Sequence, residues 1–142
     1  MPRTAPWLAA AVLAGGCGQS MSEGAPADSP VQRALLRGVG QIRGTHDPRK
    51  LYPQLAHTLA GLRGARTSTA AEHRAKALAI RGLVLTRKAV RSQLDFIDKD
   101  SGEVAAATRD ARRADRFFAL GAARLRAAGA ALGIRIGKIR GR

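Results

Sequence analysis

The chain has 142 residues, and its 25 Lys and Arg against 10 Asp and Glu give a formal charge of +15. A single Cys excludes a disulfide-stapled mini-fold, and one Trp, one Tyr and three Phe are too few for an aromatic platform that stacks single-stranded nucleic acid. At 45% hydrophobic residues the chain is too apolar to be wholly disordered.

Arg3 opens the chain, an uncharged stretch runs from Trp7 to Gly16, and Cys17 follows. That stretch is about half of the ~20 residues a membrane-spanning helix needs. A basic start, a short apolar segment and small residues before a cut site form a secretory signal pattern. The run Leu13-Ala14-Gly15-Gly16-Cys17 resembles the lipobox of bacterial lipoproteins, a likeness confined to residues 1–17. The resemblance implies cleavage between Gly16 and Cys17, a diacylglyceryl group on the Cys17 sulfur and an acyl group on the new amine. The implied address is the bacterial cell envelope, with the bilayer as partner through acylated Cys17. Each buried methylene contributes about 0.8 kcal/mol, so two or more chains anchor stably where one does not. A start at Met21 is the alternative, and it gives an ordinary cytosolic N-terminus. Residues 17–28 form a tether of Gly, Ser, Pro and Asp without apolar period, after a signal peptide at 1–16. Gly18 is not the aspartate that resembles an inner-membrane retention signal, which points to the outer membrane if the host has two.

From Ser29 onward the periodicity is helical, and residues 29–133 are expected to form an all-α bundle. Ser29-Pro30 makes an N-cap with proline at the first helical position. Val31, Leu35, Val39 and Ile42 then mark one face, which Gly38 and Gly40 are expected to fray. Gly44 to Pro48 stops this helix and caps a second, whose face is Leu51, Leu55, Leu59 and Leu62. Pro53 predicts a kink or a new start near Tyr52. A third helix opens on a capping box, Thr69 with Glu72. Its apolar face, Ala75, Leu78, Ala79, Leu83, Leu85, Ala89, Val90, Leu94, Phe96 and Ile97, covers half the circumference and calls for at least two neighbours. Asp98 to Glu103 makes the turn, with Asp100 and Glu103 suited to cap a fourth helix. That helix carries a heptad with Val104, Ala111, Phe118, Leu125 and Leu132 at one position and Ala107, Ala114, Gly121 and Ala128 at the other. The expected architecture is a small helical bundle: a long antiparallel hairpin, about 69–98 and 101–132, covered by two shorter helices.

The three histidines, His46, His57 and His73, pair with no carboxylate at helical spacing, and the inferred core carries no Glu-x-x-His, so no metal or cofactor is expected. Asp98-x-Asp100-x-Gly102 opens like a calcium loop but puts Gly102 at the fifth position and Arg109 at the twelfth, where oxygen ligands belong. No catalytic residue is assigned, and the chain is expected not to be an enzyme.

Charge is the remaining signal. Arg74, Arg81 and Lys88 recur every seven residues, joined by Arg87 and Arg91. The segment 134–142 is expected as a basic tail, with Arg135, Lys138, Arg140 and Arg142 and no acid. These cations suit an anionic envelope polymer, lipid headgroups or an unknown protein partner. A solvated helix face rich in Arg is the plainer reading of the stripes. The function expected is that of a membrane-anchored envelope lipoprotein, an interaction or structural module without enzymatic activity. The alternative is a cytosolic basic helical protein, started at Met21, that binds nucleic acid without sequence specificity.

Overall fold

A computed structural model describes residues 29–99 and 103–140. The signal-peptide and lipidation assignments on Gly16 and Cys17, the tether, Asp100 and Arg142 lie outside the described residues. Four helices follow in order: α1 (Pro30–Gly44), α2 (Pro48–Gly64), α3 (Ala70–Ile97) and α4 (Val104–Ala131). The chain is a small all-α bundle in which α3 and α4 form a long hairpin.

Local chemistry starts the first three helices where the sequence places them. The Ser29 hydroxyl accepts the Gln32 N–H at 3.1 Å, and the Asp47 carboxylate accepts the Arg49 N–H at 2.9 Å, each just ahead of a proline at the first helical position. Thr69 accepts the Glu72 N–H at 3.1 Å while Glu72 reaches back to the Thr69 and Ser68 N–H groups, which completes the capping box. Those bonds hold the fully buried Glu72 carboxyl below its usual range, the Ser68 N–H most of all, against burial that pushes it up. The fourth start differs: Glu103 sits at the N-cap without a side-chain capping bond.

Two expected weaknesses do not interrupt their helices. α1 runs unbroken through Gly38 and Gly40. Gly38 is buried where a Cβ would come within 2.9 Å of the Leu83 side chain, so its missing side chain lets α1 lie close on α3. α2 is one helix through Pro53, with no new start at Tyr52. Pro53 is exposed, while Leu51, Leu55, Leu59 and Leu62 on the opposite face are buried and bind both halves to the bundle. Thr58 Oγ1 donates to Gln41 Oε1 at 2.8 Å and ties α2 to α1.

α3 is the central element. It packs along α4 and also against α2 and α1, whereas α2 and α4 do not meet among the described residues. Its seam with α4 is closest at Gly82 and Gly121. A Cβ on Gly121 would stand 2.9 Å from the Gly82 carbonyl oxygen, and one on Gly82 would stand 2.8 Å from Leu125 Cγ. Thr86 Oγ1 donates to the Gly82 carbonyl at 3.0 Å, so the one polar side chain at this crossing is satisfied within its own helix. Leu125, Ala122 and Ala128 fill the space on the α4 side with Leu83, Ala79 and Ala75 opposite.

The seam loosens toward its turn. Phe96 and Ile97 are 46% and 51% exposed and Val104 is 69% exposed, although periodicity assigns all three to the apolar face. α1 and α2 have 15 and 17 residues against 28 in each arm of the hairpin. Their junction reaches the turn, where Arg49 donates to Asp98 at 3.0 Å, but it brings His46 and Pro48 opposite Phe96 and Ile97 and no large aliphatic side chain. Near the turn the buried Asp110 carboxylate pairs with Lys99 instead, and that ammonium group, as its hydrogen-bond partner, lowers the Asp110 pKa.

The segment after α4 is part of the core, not a separate tail. Gly133, at φ +71°, reverses the chain, with Gly133 N–H donating to the Ala130 carbonyl and Ile134 N–H to the Gly129 carbonyl. Ile136 and Ile139 are then buried beside α1 and α4 residues, and Ile136 fits where a Cβ on Gly129 would be only 2.7 Å away. Lys138 between them, and Arg135 and Arg140 on either side, stay exposed.

Candidate anion-binding surface

The hairpin buries α3 on its α4 side, so the charges of α3 are left on the outer surface and beside α2. Arg74, Arg81 and Lys88 are all exposed along one line of α3, spaced about 10 Å per step. Of the three, Lys88 lines a concave site. A cavity of about 250 Å³ between α2 and α3 is lined by Arg63, Arg87, Lys88 and Arg91 together with Tyr52, Leu59 and Val84. Four cationic side chains therefore line it, with no acid in the lining among the described residues.

Arg87 is positioned by its surroundings. Its guanidinium carbon lies 4.3 Å from the centre of the Tyr52 ring, within cation–π range, and its Nε is buried without a hydrogen-bond partner. Lys88 Nζ lies 5.9 Å from the Phe117 ring centre, and so leans over α4. Arg91 is partly neutralised by Asp95 at 3.1 Å, an exposed pair four residues apart on the same helix. A buried polar N–H without a partner carries a desolvation cost that an incoming anion relieves. The site can hold a phosphate, carboxylate or sulfate group through charge-assisted hydrogen bonds.

Arg74 and Arg81 stand apart from this cavity, farther along α3. Lys138 and Arg140 border a different cavity with Arg43, while Arg135 lies with Arg126 at the far end of α4. The cations named from the sequence are thus divided among separate places. Sequence does not single out Arg63 or Arg43, because each is one of three cations in its helix and only packing brings it to its partners. The spacing signal for Arg63 was its place four residues after the buried Leu59, at the edge of the α2 apolar face.

His46, His57 and His73 are exposed on different elements. Among the described residues no group of three or more His, Cys, Asp or Glu is arranged to hold a metal ion, and no helix is long and apolar enough to cross a membrane. Comparison with protein families, with curated proteins and with solved structures finds no match to this chain.

Proposed function

We propose that this chain is a lipid-anchored bacterial envelope protein whose helical bundle docks, without catalysis, on an anionic surface or envelope partner. The observation that carries the docking half is the set of cations Arg63, Arg87, Lys88 and Arg91 that line one cavity with Tyr52, with no acid in the lining among the described residues. The lipobox-like run ending at Cys17 supports the anchoring half. Anchoring and docking reinforce each other: a tethered domain meets the membrane or its polymers at high effective concentration, so individually weak basic contacts suffice. Basic residues near an anionic lipid surface contribute about 1 kcal/mol each.

The test is the intact mass and N-terminus of the protein from the membrane fraction of its native bacterium. The proposal expects residues 17–142 plus acyl chains, and release of the protein into the soluble fraction by Cys17→Ser. A water-soluble product that begins at Met21 or Ser22 overturns the envelope reading and makes nucleic acid the first ligand to examine.

A further inference from the structure

A second pair of cavities lies where α1 turns into α2, away from the α2–α3 cation cluster. The first, of about 300 Å³, has an apolar floor of Ile42, Leu51, Val90 and Phe118 and is rimmed by Arg43, Lys138 and Arg140. Among the described residues no acid lines it. The second, of about 360 Å³, is bounded by Phe96, Ile97, Ala111 and Ala114 near the turn of the hairpin. The two share His46, Pro48 and Gln93 and so adjoin one another. Their volumes fall in the range of small-molecule sites, roughly 300–1,000 Å³, which combine mostly apolar walls with a few placed polar groups.

Three features give this pair of cavities a direction. Arg43, at the last turn of α1, donates from Nη2 to the Lys138 carbonyl at 3.4 Å, so its guanidinium is held over the folded-back segment. The burial of Ile136 and Ile139 fixes that segment on the bundle and thereby brings Lys138 and Arg140 to the same rim. None of these three cations is ion-paired to an acid among the described residues. At the opposite end, Asp115 is the acidic lining residue and the half-exposed Phe96 and Ile97 present apolar surface. Positive charge at one end, with apolar surface on both sides of the His46, Pro48 and Gln93 junction and an acid at the other end, favours a ligand that is negative at one end only.

We propose that these adjoining cavities form a binding site for a single-chain anionic amphiphile, a long-chain carboxylate taken up as a monomer. Its head would lie against Arg43, Lys138 and Arg140. Its chain would pass Pro48 and Gln93 to cover Phe96 and Ile97. The floor of Ile42, Leu51, Val90 and Phe118 is what selects an acyl chain over a polyanion, since a phosphate backbone gains nothing from apolar walls. A concave site at this position also suits a monomer better than a flat bilayer. The proposal stands apart from the docking surface, because none of Arg63, Arg87, Lys88 and Arg91 lines these cavities.

The experiment uses the full chain carrying Cys17→Ser, which has no acyl group of its own to occupy the site. Isothermal titration with dodecanoate and palmitate below their micelle concentrations is expected to show saturable binding with one site per chain. Butyrate, which keeps the head and lacks the chain, is expected to bind at least tenfold more weakly, and so is dodecanol, which keeps the chain and lacks the charge. The triple variant Arg43→Ala, Lys138→Ala, Arg140→Ala changes exposed side chains only and is expected to lose at least tenfold in dodecanoate affinity. Ala111→Leu, which narrows the apolar end, should weaken palmitate more than butyrate. Charge reversal of Arg63 and Lys88 should leave dodecanoate affinity within twofold, which separates this site from the docking surface. Equal affinity for dodecanol and dodecanoate, unsaturable uptake, or retention on phosphatidylglycerol vesicles with no monomer binding each overturns the proposal.

Discussion

The two ends of the α3–α4 hairpin are built from the same residue types and packed differently. Around Gly82, Gly121 and Leu125 the two helices approach until a single added carbon has no room, and α1, α2 and the returning Ile136 and Ile139 close the surroundings. Near the turn, Phe96, Ile97 and Val104 stay open and a cavity replaces the core. The difference teaches that heptad spacing decides which side of a helix is apolar, whereas the side chains that neighbouring elements bring opposite it decide how much of that side is buried. The large buried side chains are concentrated at the closed end, and Phe96, Ile97 and Val104 stay exposed at the other.

That contrast can be broken most sharply at Leu125, which is fully buried. Leu125→Ala is expected to cost about 2–5 kcal/mol, read as a shift in chemical denaturation midpoint, because the crossing cannot collapse onto the missing atoms. Gly121→Ala comes next, at about 1–3 kcal/mol, since its Cβ would press on the Gly82 carbonyl oxygen and force the helices apart. Thr69→Ala removes the acceptor for the Glu72 N–H and should cost about 1 kcal/mol by the same measurement. Phe96→Ala, at the open end, is expected to change stability by under about 1 kcal/mol, well short of the ~3–5 kcal/mol of a buried Phe. A loss as large as that of Leu125→Ala would show that the open end is core after all.

Acid provides an independent comparison of the two ends. Glu72, at the closed end, and Asp110, near the turn, both have pKa values lowered in the folded state. A lowered carboxyl contributes stability that is fully present above its unfolded pKa and is lost as pH falls through the folded value. Stability should therefore be flat near neutral pH and decline below the ordinary carboxylate range. Glu72→Gln and Asp110→Asn should each make that decline shallower, checked by denaturation midpoints across the acid range.

Much of the fold was legible in the sequence because its signals are local. The caps at Ser29, Asp47 and Thr69, the four-residue steps of Leu in α2, and the small residues Ala114, Gly121 and Ala128 all lie where spacing puts them. What escaped depends on contacts distant in sequence. Gly82 and Thr86 have no apolar signature, yet they form the tightest crossing, because close approach needs absence of bulk more than presence of it. Ile134, Ile136 and Ile139 were overshadowed by the cations between them, and only the reversal at Gly133 shows that the isoleucines turn inward. The candidate site was half legible: Lys88, Arg87 and Arg91 stand out on α3, while Arg63 reaches them only through the packing of α2.

The docking surface is tested most directly by cosedimentation of the full chain carrying Cys17→Ser with phosphatidylglycerol-containing vesicles, across a salt series. Reversing Arg63 and Lys88 to Glu should lower vesicle affinity at least tenfold, in keeping with about 1 kcal/mol per basic residue at an anionic surface. Reversing Arg112 and Arg113, exposed on α4 away from the α2–α3 cavity, makes the same change in net charge and should lower it less than threefold. Equal losses from the two reversals would contradict the account, since attraction would then follow total charge and not the cluster around Tyr52.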